Sequence, residues 1–125
     1  MENVGNMVDS PSWHRLHVPL STRGEWDVRH AIEDSEEYRT LYLTEAECGK
    51  LDSLFDSYNR EFRIAIDYGE EEILPAECVG TALSMAKAEL AQASSETKCH
   101  GLRTLVEALE LAQSRHTFMA LEFDA

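Results

Sequence analysis

The sequence predicts an α+β fold: a small, mostly antiparallel sheet of three to four strands, packed by helices that include a C-terminal α-hairpin. Short segments that alternate apolar and polar residues are typical of half-buried strands, and they recur along the chain. Between them lie longer segments with apolar residues at helical spacing. The last two, residues 73–93 and 98–115, are joined by a short polar link that is typical of antiparallel helices. We therefore expect the apolar faces of this hairpin to cover the sheet.

The composition predicts one domain. A chain of 125 residues with a hydrophobic fraction of 43% can bury a substantial core. Residues 1–12 are polar and aperiodic, which predicts a flexible N-terminal tail, and residues 13–125 are expected to form the domain. No signal peptide is evident, no apolar run approaches the roughly 20 residues of a membrane span, and three irregularly spaced cysteines predict no disulfide framework. These features predict a cytoplasmic protein.

The first third of the chain predicts two strands with a short helix between them. Residues 13–20 alternate between apolar and polar side chains, as a strand does. Because Pro19 has no backbone N–H, this strand is expected to lie at an edge of the sheet or to end there. Residues 25–34 predict a short helix, and the aromatic and aliphatic content of residues 38–43 predicts a strand.

The middle of the chain predicts a helix and then the clearest strand. Thr44 and Glu47 have the spacing of a capping box, in which each side chain accepts a hydrogen bond from the backbone of the other. An apolar stripe at helical spacing runs from Cys48 to Tyr58, and the helix is expected to end near Asn59. Strict alternation over residues 62–68 predicts a half-buried strand.

The C-terminal half predicts the hairpin and a terminal strand. Pro75 is suited to a first helical position, because its missing N–H would be unpaired there anyway. Thr97 is expected to cap the last helix, and residues 117–123 are expected to form the last strand. Gly80 and Gly101 lie within the two helices, where they are expected to allow a close helix crossing.

The charge of the chain is high and uneven. The formal net charge is −13, and residues 25–72 contain fifteen acidic and five basic residues. Such a field favours solubility and disfavours contact with nucleic-acid phosphates or anionic lipids. A basic protein is the natural counterpart of this acidic central segment.

We expect the partner-binding surface to combine acidic and aromatic residues of this segment, because aromatic side chains beside charges are common at binding hot spots. The residues predicted to contact a partner are Trp26, Glu33, Asp34, Glu36, Glu37, Tyr38, Asp67, Glu70, Glu71 and Glu72. The sequence leaves two alternatives open: a solvated acidic surface without a partner, and aromatic residues that cap a small core.

The sequence contains no specific catalytic, metal-binding or nucleotide-binding motif, so we predict no catalytic residue, no metal site and no cofactor. Cys48, Cys78 and Cys99 each lie near a predicted helix N-terminus, where the helix dipole favours a thiolate. A glutamate directly precedes two of them, however, and a neighbouring negative charge raises the pKa of a thiol. An enzyme or metal-dependent domain that uses Cys78, Cys99 and His100 or His116 stays open as an alternative.

These observations favour an acidic, non-enzymatic binding protein. The most specific hypothesis is a small bacterial inhibitor or immunity-type protein that neutralises a basic protein partner, such as a toxin or a nucleic-acid-handling enzyme, through its acidic surface. Direct binding to nucleic acid or to a membrane is not expected. A structural subunit of a homo-oligomer, for example a homodimer joined through strand edges, is a further alternative.

Overall fold

The fold is α+β, as predicted, with a four-stranded antiparallel sheet and four helices in the described residues. The computed structural model of the chain describes residues 13–20 and 37–124. The predicted tail at residues 1–12 and the predicted helix at residues 25–34 lie outside the described residues. The elements are β1 (Trp13–Pro19), β2 (Tyr38–Thr44), α1 (Glu45–Lys50), α2 (Asp52–Phe62), β3 (Glu71–Leu74), α3 (Ala76–Gln92), α4 (Glu96–Ser114) and β4 (Met119–Glu122).

The strands lie in the order β2-β1-β4-β3. In β1, Leu16 pairs with Leu41 of β2 on one side and with Leu121 of β4 on the other. The strand β1 is therefore interior to the sheet. It ends at Pro19, which pairs with Tyr38, so the prediction that the strand lies at an edge or ends at this proline is confirmed by the second alternative.

The predicted hairpin is present as α3 and α4, which pack against each other. Only α4 of the two is in extensive contact with the sheet, where it lies on β1, β2 and β4, whereas α3 packs on α4 and on α2. Ala82 and Ala86 of α3 are fully buried, as are Leu102, Leu105 and Leu109 of α4. Each buried leucine stabilises the fold by about 1.5–3 kcal/mol relative to an exposed one.

The start of each hairpin helix differs slightly from the sequence expectation. Pro75 is the N-cap residue of α3 rather than its first helical residue, because residues 73–74 belong to β3. Ser95, not Thr97, caps α4, and its side-chain oxygen accepts a hydrogen bond from Lys98 N–H at 3.2 Å. In both cases the helix itself is confirmed.

The predicted capping box opens α1. Thr44 Oγ1 accepts a hydrogen bond from Glu47 N–H at 3.1 Å, and Glu47 Oε1 accepts one from Thr44 N–H at 2.9 Å. Gly101 of α4 lies against the same glutamate, since a Cβ at Gly101 would be only 3.1 Å from Glu47 Cβ. Gly101 therefore allows α4 to approach α1 closely, rather than α3 as the sequence suggested. A Cβ at Gly80 would make only an ordinary contact, 3.5 Å from Gln113 Nε2.

The single helix predicted from Thr44 to Asn59 is two helices. The break lies at Leu51, with φ −100° and ψ 4°, where Leu51 N–H donates to the Cys48 carbonyl at 2.9 Å. Both residues are fully buried, so the tight turn keeps the apolar stripe on the core. The second helix, α2, then continues to Phe62.

The strand predicted at residues 62–68 is absent, and this prediction was wrong. Phe62 ends α2, and residues 64–67 are irregular. Asn59 explains part of this, because its Oδ1 accepts from Ile66 N–H at 2.7 Å and its Nδ2 donates to Ile66 O at 3.1 Å. The Asn59 side chain thus takes up the two backbone groups of Ile66 that would otherwise pair with a neighbouring strand. The apolar alternation still has an effect, since Ile66 is buried.

The third strand, β3, instead forms from Glu71–Leu74, which the sequence had assigned to a loop and a helix start. Two residues, Gly69 and Glu70, lie opposite the single residue Phe123: Gly69 N–H donates to Phe123 O at 2.9 Å, and Phe123 N–H donates to Glu70 O at 3.2 Å. Gly69 has a φ of 78°. This is a β-bulge of the kind that takes a left-handed glycine as its first residue, and it directs the chain into β3.

Candidate functional site

The structure places the predicted contact residues at two separate corners of the sheet. Glu37 and Tyr38 lie at the start of β2, where Tyr38 pairs with Pro19. Glu71 begins β3, directly after Glu70, and pairs with Glu122 at the other end of the sheet. The two edge strands are three inter-strand spacings apart, or about 14 Å. The two groups therefore do not form one continuous surface. Trp26, Glu33, Asp34 and Glu36 lie outside the described residues.

Glu72 has a structural role in this region. Its Oε2 accepts a hydrogen bond from Ala65 N–H at 2.7 Å, and its Oε1 accepts one from Ile73 N–H at 2.9 Å. The carboxylate thus connects the irregular segment after α2 to the edge strand β3. Of the predicted acidic contacts near β3, Asp67, Glu70 and Glu71 are the exposed ones.

These three residues belong to a larger group that we call the acidic corner. It consists of seven carboxylates around two aromatic rings, at the end of the sheet where β4 stops. Its members are Asp52, Asp56, Asp67, Glu70, Glu71, Glu122 and Asp124, with Tyr68 and Phe123.

Two clefts meet at Phe123 in the acidic corner. One has a volume of about 210 Å³ and is lined by Asp52, Phe55, Asp56, Ile66, Asp67, Tyr68 and Phe123. The other has a volume of about 290 Å³ and is lined by Gly69, Glu70, Glu71, Glu122, Phe123 and Asp124. Each cleft combines an aromatic wall with several carboxylates. A cationic side chain with an apolar stem, such as that of lysine or arginine, matches this combination.

Most of the charge in the acidic corner is unpaired. Asp124 forms a salt bridge with Arg15 at 3.1 Å, and Glu122 Oε1 lies 2.9 Å from His17 Nε2. The other five carboxylates form no ion pair with any residue that the structure describes: Asp52, Asp56, Asp67, Glu70 and Glu71. Exposed like charges this close repel one another, so their negative field is available to an external cation.

Tyr68 is the most exposed large apolar residue of the described chain, with 39% of its surface accessible. Its hydroxyl donates a hydrogen bond to Asp52 Oδ1 at 2.8 Å, and its backbone N–H donates to Asp67 Oδ1 at 2.8 Å. Partial burial raises the pKa of Tyr68, and the hydrogen bond and charge of Asp52 raise it further. The hydroxyl therefore stays protonated at neutral pH, and its hydrogen bond to Asp52 holds the ring against the start of α2.

Sequence reasoning missed several members of the acidic corner. Asp52 and Asp56 are four residues apart on α2, opposite its apolar stripe, and this spacing was readable as one helix face. Glu122 and Asp124 were not recognisable in the same way. Their proximity to Glu71 depends on the pairing of β3 with β4, and a sequence does not specify which strands are neighbours.

Cys48 and Cys78 do not have the properties of nucleophiles. Cys48 is fully buried, and burial raises its pKa to about 12, with a further contribution from Asp52. Burial also raises the pKa of Cys78, as does the charge of Glu77. A high thiol pKa keeps the unreactive protonated form at neutral pH.

His17 and His100 have structural partners. His100 Nδ1 is hydrogen-bonded to the Glu47 carboxylate, which fastens α4 to α1. His17 is buried and bonded to Thr40 Oγ1 through Nδ1, at 2.9 Å, and to Glu122 through Nε2. Among the described residues, no group of three or more His, Cys, Asp or Glu side chains has a geometry that could hold a metal ion.

Comparison of the chain with protein-family models, with curated proteins and with solved structures finds no match. In the described ranges, no helix is both long and apolar enough to cross a bilayer. The functional argument therefore depends on the geometry and charge of the acidic corner.

Proposed function

We propose that this protein is an acidic, non-enzymatic binding protein that neutralises a basic protein partner through the acidic corner, as an inhibitor or immunity-type protein does. The single observation that supports this most strongly is the set of five carboxylates without ion pairs that line the two clefts of the acidic corner, one of which holds the exposed ring of Tyr68. A partner such as a toxin or a nucleic-acid-handling enzyme has the basic surface that this arrangement would complement.

Electrostatics supports this type of partner. The chain has a formal net charge of −13, so its long-range field attracts cations. Complementary charge steers association and raises its rate, and the effect weakens steeply with ionic strength. An inhibitor must reach its target before the target reaches its substrate, and a field of this kind shortens the time that the two proteins need to meet.

The aromatic residues support a defined docking point rather than diffuse attraction. Tyrosine is enriched at binding hot spots, because it offers a large contact area with few rotatable bonds. The Tyr68 ring is anchored through its hydroxyl to Asp52 and lies in edge contact with His14 behind it, with ring centroids 5.3 Å apart. A ring that is fixed before binding loses little conformational entropy on docking.

The cysteine-based enzyme hypothesis has no comparable support. The buried thiol of Cys48 and the raised pKa of Cys78 both oppose nucleophilic chemistry. A homo-oligomer joined at β3 is also disfavoured, because the Glu72 carboxylate already accepts a hydrogen bond from the backbone N–H of Ile73 in that strand.

The experiment compares two triple variants that remove the same total charge. The test variant carries Asp67→Asn, Glu70→Gln and Glu71→Gln, and the control carries the exposed changes Glu61→Gln, Glu107→Gln and Glu110→Gln. The partner is first captured from lysate of the native host at low salt and identified. Its dissociation constant is then measured with each variant at two salt concentrations.

We expect the test variant to weaken binding by about ten- to a hundredfold, which corresponds to three charge pairs at about 0.5–1 kcal/mol each. The control variant changes the overall charge equally but should have a much smaller effect. Tyr68→Ala should also weaken binding. A dissociation constant that is indifferent to salt and equal for both triple variants would contradict the proposal.

A further inference from the structure

His14 lies directly behind the aromatic residues of the acidic corner. It is a β1 residue with only 1% of its surface exposed. Its ring makes edge contacts with Tyr68 and Phe123, with centroid distances of 5.3 and 5.1 Å. Tyr68 lines one of the two clefts, and Phe123 lines both. The His14 ring is therefore in direct contact with the aromatic surface of the acidic corner.

The hydrogen bonding of His14 fixes which of its two ring nitrogens carries the proton in the neutral form. Its Nδ1 accepts a hydrogen bond from the backbone N–H of Asp124 at 3.1 Å. A nitrogen that accepts has no proton, so the neutral ring carries its proton on Nε2. Nε2 is buried and has no hydrogen-bond partner among the described residues. Protonation would place a second N–H on Nδ1, directed at the N–H of Asp124, so the two donors would oppose each other.

The groups that face His14 come from each element around it. Arg15 follows it on β1, Glu45 begins α1, Asp124 follows β4, and Tyr68 lies in the turn before β3. Burial is the largest influence and lowers the pKa of His14 from its ordinary value of 6.5. Asp124 and Glu45 oppose this shift, and Arg15 adds to it.

We propose that His14 is a pH-sensitive latch behind the acidic corner: protonation breaks its bond to the Asp124 N–H and releases Phe123 and Tyr68. The neutral ring holds the end of β4 in place, which keeps the wall between the two clefts ordered. The charged ring cannot accept this hydrogen bond, and it places a cation in a buried position between two aromatic rings. The latch is a property of the free protein, and it does not rest on the proposed function.

The sign of the pH dependence follows from the lowered pKa. Above pH 6.5 the ring is neutral in both the folded and the unfolded chain, so the stabilising contribution is fully present. Below pH 6.5 the unfolded chain binds the proton first, and the stability of the folded protein falls until the pH reaches the folded pKa. The latch therefore opens on the acidic side of neutrality.

The first test follows the wild-type protein by NMR between pH 8 and pH 4, and it needs no variant. We expect the ring signals of His14 to titrate below 6.5, with the backbone amide of Asp124 and the ring signals of Phe123 shifting with the same midpoint. If His14 titrates while the Asp124 amide and the Phe123 ring follow other midpoints, the latch does not exist.

The second test removes the titration and keeps the acceptor. In His14→Asn the side-chain oxygen takes the position of Nδ1. The control is His116→Asn, because His116 is exposed and its φ of 56° suits asparagine without strain. We expect His14→Asn to abolish the common transition of Asp124 and Phe123, and the control to retain it. Retention of that transition in a folded His14→Asn protein would refute the proposal.

Discussion

The α3–α4 hairpin and the segment at residues 63–70 are held in place by different kinds of interaction. In the hairpin, buried leucines and alanines at helical spacing pack against each other and against the sheet. In the segment, polar side chains bind the backbone: Asn59 holds Ile66, and Glu72 holds Ala65. The hairpin depends on many small apolar contacts, whereas the segment depends on a few specific hydrogen bonds, among them those of Asn59 and Glu72.

This difference explains where function is expected. A helix pair in which most contacts are apolar tolerates few changes in the core and presents ordinary charged side chains outside. A segment fixed mainly by hydrogen bonds can expose charge and aromatic surface, because it needs little apolar burial of its own. The acidic corner includes Asp67, Tyr68 and Glu70 of this segment. We expect the two regions to respond differently to mutation, and three predictions test that expectation.

The largest effect is expected in the hairpin. Leu105 is fully buried on α4, so Leu105→Ala removes apolar contacts and leaves a cavity. We expect a loss of about 2–5 kcal/mol in the free energy of unfolding, measured by urea denaturation. The neighbouring Val106 is only partly buried, and Val106→Ala should cost about 1 kcal/mol or less. Similar losses for both variants would mean that burial does not determine how much each side chain of the hairpin contributes to stability.

An intermediate effect is expected at Asn59. Asn59→Ala leaves the N–H and carbonyl of the buried Ile66 without their partner. We expect a loss of about 1–3 kcal/mol, together with faster amide hydrogen exchange at Ile66 while the hairpin keeps its protection. Ser57→Ala is the control, because its bond to Ser53 O is exposed. If Asn59→Ala leaves the exchange of Ile66 unchanged, the segment is not held in the way described.

The smallest effect is expected at Gly80, for which Gly101 provides a matched comparison. Gly80→Ala adds a methyl group 3.5 Å from a flexible glutamine end, so it should gain up to about 1 kcal/mol from helix propensity. Gly101→Ala adds one 3.1 Å from Glu47 Cβ, where the capping box fixes the glutamate. We expect Gly101→Ala to be less stable than Gly80→Ala by about 1–3 kcal/mol. Equal unfolding midpoints for the two variants would show that α1 moves away from the added methyl group without a loss of stability.

The same contrast separates what the sequence predicts from what it does not. The hairpin, β1, β2, β4 and the capping box at Thr44 were predictable, because each has its own local pattern of apolar spacing or helix-start chemistry. The strand predicted at residues 62–68 failed because the bonds of Asn59 to Ile66 override its alternation. Nothing local to those residues indicates that a side chain of the preceding helix will take the place of a strand.

The candidate site was only partly predictable for a related reason. Asp67, Glu70 and Glu71 were identified from their acidity alone, and the structure brings them beside Glu122, which pairs with Glu71. That proximity depends on strand order, which arises from long-range pairing. The predicted group at Glu37 and Tyr38 lies at another corner of the sheet, because equal charge and closeness in sequence do not imply a shared surface.

The carboxylate of Glu72 has a consequence for how this protein behaves among other copies of itself. Short strands at the rim of a sheet offer backbone groups that a second chain can pair with, which is a common route to aggregation. In β3 the Ile73 N–H is already bonded to Glu72, and the same carboxylate holds Ala65 nearby. A second chain that added a strand here would have to displace a charged group from two hydrogen bonds. One glutamate thus gives this rim of the sheet a barrier against recruiting neighbouring copies at high concentration.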